Sequence, residues 1–280
     1  MAQRSVVVTG ASTGIGRATV AELVAAGFHV FPTVRREADA QGLRHQFPVV
    51  TPLIMDLLDD DSVRAAGDVV NSSGALFGLV NNAGAAFPGP LELMPIEVFR
   101  RQLEINLTAQ LLVTQVMLPA LRRSAESTGD ARIIMIGSIG GRIAASMLGA
   151  YSAAKHGLVG LSGSLRAELA PSKIKVVLIE PGAIATPIWD RGIATGDELQ
   201  SGRPEAYVRY ADQIQLSKQM ARRGRTSGLD PVVPAKIILQ ALQEENPAPR
   251  RVVGREAKVI AAMVRVLPFR AVYRLSRARR

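Results

Sequence analysis

The sequence predicts a three-layer α/β fold, a doubly wound parallel sheet of seven strands with helices on both faces. Three observations carry this. Short β-branched runs alternate with longer stretches of helical apolar spacing. The runs are apolar at almost every position, as strands covered on both sides must be. The first run, "RSVVVTG", passes straight into a glycine-rich turn and then a helix.

The elements follow in order. "GIGRATVAELVAAG" reads as the first helix, with Ile15, Ala18, Leu23 and Ala26 at helical spacing and Gly27 placed to end it. "HVFPTV" is the second strand; Pro32 is odd there because it cannot donate to a ladder. "PVVTPLIMD" is the third. "DDDSVRAAGDVVNSSG" is a helix whose acidic start suits the helix dipole. "ALFGLVNNAG" is the fourth strand, and residues 94–124 read as one long helix. "ARIIMIGS", the helix "GAYSAAKHGLVGLSGSLRAELAPS" and "IKVVLIEPG" follow, with "RRVVG" the candidate seventh strand. No linker precedes residue 185, so residues 1–254 read as one domain. Residues 186–230 are polar, rich in Gly and Pro, and hold the only tryptophan, Trp189. A long irregular insertion after a strand end is often a substrate lid.

Composition excludes several classes. The 280 residues contain no cysteine, so disulfides, thiolate metal sites and a cysteine nucleophile are out. Three scattered histidines (His29, His45, His156) give no metal-ligand spacing, and no metal is expected. The start lacks a signal-peptide pattern and no apolar stretch reaches 18 residues, which points to a cytoplasmic protein. The net charge is +10, but residues 251–280 hold nine basic residues and one acidic one, hence +8. Charge confined to a tail argues against a nucleic-acid-binding face. Residues 255–280 are basic and amphipathic, with Pro268 expected to break the helix. Such a tail can touch an anionic membrane peripherally, pack on another subunit, or lie in solvent.

"GASTGIG" places Gly10, Gly14 and Gly16 at the carboxyl end of the first strand, where doubly wound sheets bind ligands. Glycines let the backbone approach a pyrophosphate, and the helix start offers N–H groups and a positive dipole end. A glycine turn needed only for packing has the same composition. At the end of the second strand stand Arg35 and Arg36, with no acid before Glu37. Arginine there accommodates a 2′-phosphate, which favours NADP over NAD; a solvated charged loop is the bland alternative.

Tyr151 and Lys155 lie four apart on a predicted helix, so they share a face. A nearby ammonium favours the phenolate, lowering the tyrosine's pKa from about 10 and making a proton-exchanging phenol. Ser138 ends the fifth strand at the same sheet edge. Alone, the pair also fits a half-buried aromatic beside a snorkelling lysine.

The order of motifs is more specific: "TGASTGIG" (9–16), Asp56, "NNAG" (81–84), Asn106, Ser138, "YSAAK" (151–155) and "PGAIATP" (181–187). Together they resemble the short-chain dehydrogenase/reductase family in its single-domain form, over roughly residues 4–190. The resemblance implies a Rossmann fold and an NAD(P)-dependent oxidoreductase exchanging a hydride with an alcohol or carbonyl. It also implies roles. Gly10, Ser12, Thr13, Gly14, Ile15 and Gly16 would hold the pyrophosphate; Asp56 and Leu57 the adenine; Asn82, Ala83 and Gly84 the adenine ribose. Tyr151 would be the general acid/base, with Lys155 on the nicotinamide ribose beside it. Ser138 would hold the substrate oxygen, and Asn106 a relay water. Pro181, Gly182, Ile184 and Thr186 would face the nicotinamide. NADP-preferring members often carry a basic residue where Thr13 stands here, so the NADP expectation rests on Arg35 and Arg36.

"GFHVFPTVRREADAQGLR" and "IEPGAIATPI" look like members acting on steroids, retinoids and related lipophilic alcohols. The positions expected around substrate, Gly140, Ala144, Met147, Leu148, Ile188 and Trp189, carry no charge and suit a lipophilic alcohol or ketone. The family commonly pairs its two long helices between subunits, so a homodimer or homotetramer is expected by resemblance. The competing reading is a catalytically silent NADP-binding sensor; such proteins usually lose the tyrosine or lysine, and both stand here.

Overall fold

The computed structural model describes residues 3–268 and 270–272. Seven parallel strands run in the order β3-β2-β1-β4-β5-β6-β7: Ser5–Val8 (β1), His29–Val34 (β2), Leu53–Ile54 (β3), Gly78–Asn81 (β4), Ala131–Ile136 (β5), Ile174–Pro181 (β6) and Arg250–Val253 (β7). The helices are Gly14–Ala25 (α1), Glu37–Gln46 (α2), Asp60–Ser72 (α3), Ile96–Leu103 (α4), Ala109–Thr128 (α5), Gly149–Leu169 (α6), Ile188–Ser201 (α7), Pro204–Tyr207 (α8), Ala211–Ser227 (α9), Val232–Gln243 (α10) and Arg255–Val266 (α11).

The near-continuous apolar strands have the predicted cause. Val7, Leu79, Ile133, Met135, Val176 and Leu178 face a core shared with α3, α5 and α6. Their neighbours Val6, Val8, Val80, Ile134, Val177 and Ile179 face a second core shared with α1, α2 and α10. Both alternating sets are withdrawn from water, so period-two polarity vanishes. The order reverses beside β1, which pairs with β2 on one side and β4 on the other. Loops leaving β1 and β4 therefore open a crevice at their carboxyl ends.

Pro32 fits for a geometric reason. The Val30 and Val34 carbonyls accept from the N–H groups of Thr51 (3.0 Å) and Met55 (2.8 Å), so even-numbered β2 residues face β3. The missing Pro32 donor falls on that side, where β3 has two residues. The ladder to β1 is untouched.

The long helix read over residues 94–124 runs from Ile96 to Thr128 with a π-helical turn, Glu104–Thr108, between α4 and α5. Other expectations change. The third strand shrinks to Leu53–Ile54, and α2 and α10 appear where no helix was read. The segment 186–230 is helical rather than irregular, built from α7, α8 and α9. Two of its glycines are notches: a Cβ on Gly192 would sit 3.4 Å from the Ala86 oxygen, and one on Gly196 3.3 Å from Pro88 Cγ. They let α7 lie close on the loop after β4. Finally, α11 packs on the domain through buried Ala257 and Ala261 and stops before Pro268, where the break was expected. The remainder of the tail, Phe269 and residues 273–280, lies outside the described residues.

Candidate active site

The glycine loop is held from both sides. Thr9, the last residue before it, accepts through Oγ1 from the N–H groups of Asn82 and Ala83, both at 2.9 Å. The Asn82 amide donates to the carbonyls of Thr9 (2.8 Å) and Gly10 (3.3 Å). This ties the first motif to "NNAG" across β1 and β4. Gly10 and Gly14 have φ of +66° and +57°, in the left-handed region that favours glycine. A Cβ on Gly10 would lie 2.8 Å from Ala83 Cα, and one on Gly14 2.9 Å from Thr186 Cγ2. Thr186, beyond β6, thus closes on the loop. One on Gly16 would collide with the Gly10 carbonyl.

The start of α1 fits a phosphate. Its N-cap, Thr13, makes no side-chain capping bond, and the first turn has no acid. Contrast α3, where Asp59 accepts from the N–H groups of Asp61 and Ser62. The α1 donors are left to an anion, with the positive dipole end behind them. Ser12 and Ile15 are half-buried beside them. Arg191 of α7 reaches the same point, its Nη2 donating to Thr13 Oγ1 at 3.2 Å. Sequence reading passed over this cation; only its position on the lid could have marked it.

The two arginines after β2 part company. Arg36 is forked onto Asp39 at 2.9 and 3.0 Å. Arg35 is exposed and makes no hydrogen bond or ion pair among the described residues. Asp56 accepts from the Leu58 N–H at 3.1 Å, and Leu57 is buried. Pro181 and Ile184 are buried, and Gly182 faces α11: a Cβ there would meet that of Ala257 at 3.0 Å.

Ser138 follows β5 and opens a 3₁₀ turn, Ile139–Gly141, accepting from the Gly140 N–H at 3.0 Å. A Cβ on Gly140 would lie 3.3 Å from Tyr151 Cε1 and 3.4 Å from Ser138 Oγ. Glycine is therefore what lets the hydroxyl and the phenol share one corner. Lys155, one turn along α6, is 5% exposed. Its Nζ donates to the Ile136 carbonyl at 2.8 Å and stands 5.8 Å from the Tyr151 ring centroid. Asn106 is fully buried in the π turn, exchanging two hydrogen bonds with Ala85 (2.9 and 2.8 Å). Gln102, one turn earlier on the same face, does the same with Phe87 and Ala85. The two amides brace the loop after "NNAG", and their i, i+4 spacing was the unread signal.

The electrostatics correct one expectation. Burial pushes the Tyr151 phenol above its ordinary value, with a hydrogen bond from Ser138 pulling the other way. Burial also depresses Lys155, to about 8, and Lys155 is not among the groups that shift the phenol. Desolvation disfavours both charged forms.

Residues expected near substrate divide. Met147 is buried at φ +67°, packed with Tyr207 and Ile214 of the lid. Leu148 is half-buried at the start of α6, and Ala144 is exposed. Ile188 and Trp189 open α7. The indole donates to the Ile184 carbonyl at 2.7 Å and its ring faces Gly224, where a Cβ would lie 2.6 Å away. Trp189 thus clamps α7 to α9. No three His, Asp or Glu side chains among the described residues could hold a metal ion, and no described helix is long and apolar enough to cross a membrane.

Comparison with known proteins identifies the family. The short chain dehydrogenase family model matches residues 4–195. A 3-amino-tetrahydro-pyrrolizinone reductase of Xenorhabdus hominickii is 36% identical, over 95% of this chain and 92% of the relative. An NADPH-dependent 3-dehydrocapnine reductase of Ornithobacterium rhinotracheale is 34% identical, over 95% and 94%. A short-chain dehydrogenase structure from Streptomyces avermitilis superposes with a TM-score of 0.76 at 27% identity, covering 99% of this chain and all of the other. The chain belongs to the short-chain dehydrogenase family of NAD(P)-dependent oxidoreductases.

Proposed function

We propose that this protein is an NADP(H)-dependent reductase of a lipophilic ketone or aldehyde. The observation that carries it is the corner where Ser138 and Tyr151 meet over Gly140, with Lys155 beneath. When bound, the nicotinamide cofactor supplies the hydride. Ser138 Oγ holds the substrate oxygen, and Tyr151 gives that oxygen its phenolic proton. The protonated phenol is the form from which reduction starts, and the phenolate the form from which oxidation starts. Lys155, while cationic, stabilises the phenolate left behind. Asn106, its side chain committed to Ala85, serves the relay by shaping the π turn.

On the cofactor side, Gly10, Ser12, Thr13, Gly14, Ile15 and Gly16 hold the diphosphate at the uncapped α1 start. Asp56, Leu57 and Asn82–Gly84 take the adenosine, and Pro181, Gly182, Ile184 and Thr186 the nicotinamide. Arg35, unpaired among the described residues where Arg36 is held by Asp39, is the group for a 2′-phosphate. Two supports lie outside the chain: both relatives named above are reductases, and one is NADPH-dependent. Gly140, Leu148, Met147 and the lid residues Ile188 and Trp189 give the substrate an apolar wall, with Ala144 at its rim.

The test is a cofactor-oxidation screen of ketones and aldehydes with NADPH and with NADH. Turnover of lipophilic carbonyls with NADPH is expected. Bound cofactor with no turnover of any carbonyl would instead mark a silent sensor. Arg35→Ala should raise KM for NADPH about tenfold, the loss of one charge-assisted hydrogen bond, and leave NADH within about twofold on the same scale. Equal effects on both would remove Arg35 from the 2′-phosphate.

A peripheral contact with an anionic membrane is the reading for α11. It exposes Val259 and Val266, with Leu267 just past its end, among Arg255, Lys258 and Arg265 and the single acid Glu256. Because α11 also packs on Gly182, deletion would disturb the site. Val259→Glu with Val266→Glu is the cleaner probe. Co-sedimentation with anionic vesicles should fall in this double variant; equal sedimentation with neutral vesicles would rule the contact out.

A further inference from the structure

Glu180 lies one residue before the end of β6 and has no exposed surface. Two guanidinium groups grip its carboxylate. Arg142 approaches through Nε, 3.0 Å from each oxygen, and Nη2 at 2.6 Å. Arg250, the first residue of β7, approaches through Nε and Nη2, both at 2.6 Å. Burial alone would raise the carboxyl's pKa. The hydrogen bonds and charges of Arg250 and Arg142 outweigh it and hold the group below the ordinary carboxylate range.

Stability is a poor reason for such a cluster. A buried ion triad is often no better than packed apolar side chains of the same volume. Its place in the fold is more telling. Arg142 is the residue after the Ile139–Gly141 turn, and its N–H closes that turn on the Ile139 carbonyl at 2.9 Å. The turn begins at Ser138. At Gly137, a Cβ would lie 3.5 Å from Glu180 Cγ, so the carboxylate stem runs directly behind the strand end that delivers the serine. Glu180 itself leads into Pro181 and Gly182.

We propose that Glu180 and Arg142 are positioning residues: their ion pair fixes the 138–142 turn to β6 and so sets the Ser138 hydroxyl against the Tyr151 phenol. Arg250 anchors the same carboxylate to β7, on the side away from the chemistry. The proposal rests on the reading of Ser138 and Tyr151 as the reacting corner. It explains why a fully buried carboxylate stands in β6, and why it has two partners. One partner belongs to the site and the other to the scaffold.

The two arginines provide a matched test in the full-length enzyme with NADPH and its best carbonyl substrate. Arg142→Gln and Arg250→Gln each remove one fork from the same carboxylate, so both should lower the thermal midpoint. Only Arg142→Gln should lower kcat, by about tenfold or more, the scale of a displaced reacting group. Its NADPH Kd, read by fluorescence titration, should stay within about twofold of wild type. Arg142→Lys, which keeps the charge but loses the fork, should fall between, and it serves as the kinetic variant if Arg142→Gln does not fold. Equal kcat losses in the Arg142 and Arg250 variants would overturn the proposal, because the triad would then be scaffold alone. Unchanged kcat in folded Arg142→Gln or Arg142→Lys would overturn it too. Failure of the underlying reading looks different: Tyr151→Phe would then retain wild-type turnover.

Discussion

Tyr151→Phe should lower carbonyl turnover by about a thousandfold, in the range of a lost general acid, while NADPH binding stays near wild type. The single oxygen removed is the one facing Ser138 at the Gly140 corner, and the glycine loop contacts do not involve it. Steady-state rates and a fluorescence titration on the same preparation check both halves. A variant with full activity would end the assignment of Tyr151 as proton donor. A variant that also loses cofactor affinity would mean the phenol is a cofactor contact first.

Lys155→Met should separate activity from stability. Lys155 is buried, and its pKa in the folded protein is about 8, against an ordinary value of 10.5. Folding therefore disfavours the charged form. The cost from this group is full below pH 8, where the folded protein must carry a buried ammonium, and it fades as pH rises toward 10.5. The difference corresponds to about 3 kcal/mol at neutral pH. Methionine removes that cost and loses the hydrogen bond to the Ile136 carbonyl, leaving a gain of about 1–3 kcal/mol. Denaturant titrations at pH 7 and pH 10 should show the gain at pH 7 and little of it at pH 10. Reduction should fall by about a hundredfold or more, the effect of losing a charge that stabilises the developing phenolate. The same shift predicts that wild-type reduction declines as pH rises through about 8, where Lys155 loses its charge. A stable, active Lys155→Met would show that the cation is not needed.

Much of this site was legible because its chemistry is local in sequence. Gly10, Gly14 and Gly16 lie within one turn, and Tyr151 and Lys155 within one helical step. Parallel topology then brings Ser138, Thr186 and the glycine loop to one edge. What was not legible depends on distant partners. Glu180 takes its meaning from Arg142 and Arg250, 38 and 70 residues away. Arg35 and Arg36 are adjacent and chemically alike; only Asp39, forked to one of them, tells them apart. Elements were missed for related reasons. Helix α2 buries only Ala40 and Leu43, too few to set up a period. In α10, Pro234 sits in the first turn, where its missing N–H has no helical partner to lose. The lid glycines read as loop because their contacts, Pro88 and Trp189, come from other elements.

Trp189 has a photophysical consequence. It is the chain's only tryptophan, and it joins the exit of β6 to two lid helices through the Ile184 carbonyl and Gly224. Indole emission from the unlabelled protein, excited beyond the tyrosine absorption band, therefore comes from one known point on the lid. Its indole N–H bond and its packing both depend on α7 and α9 staying together. The protein thus carries a built-in optical gauge of lid position, free of background from a second indole.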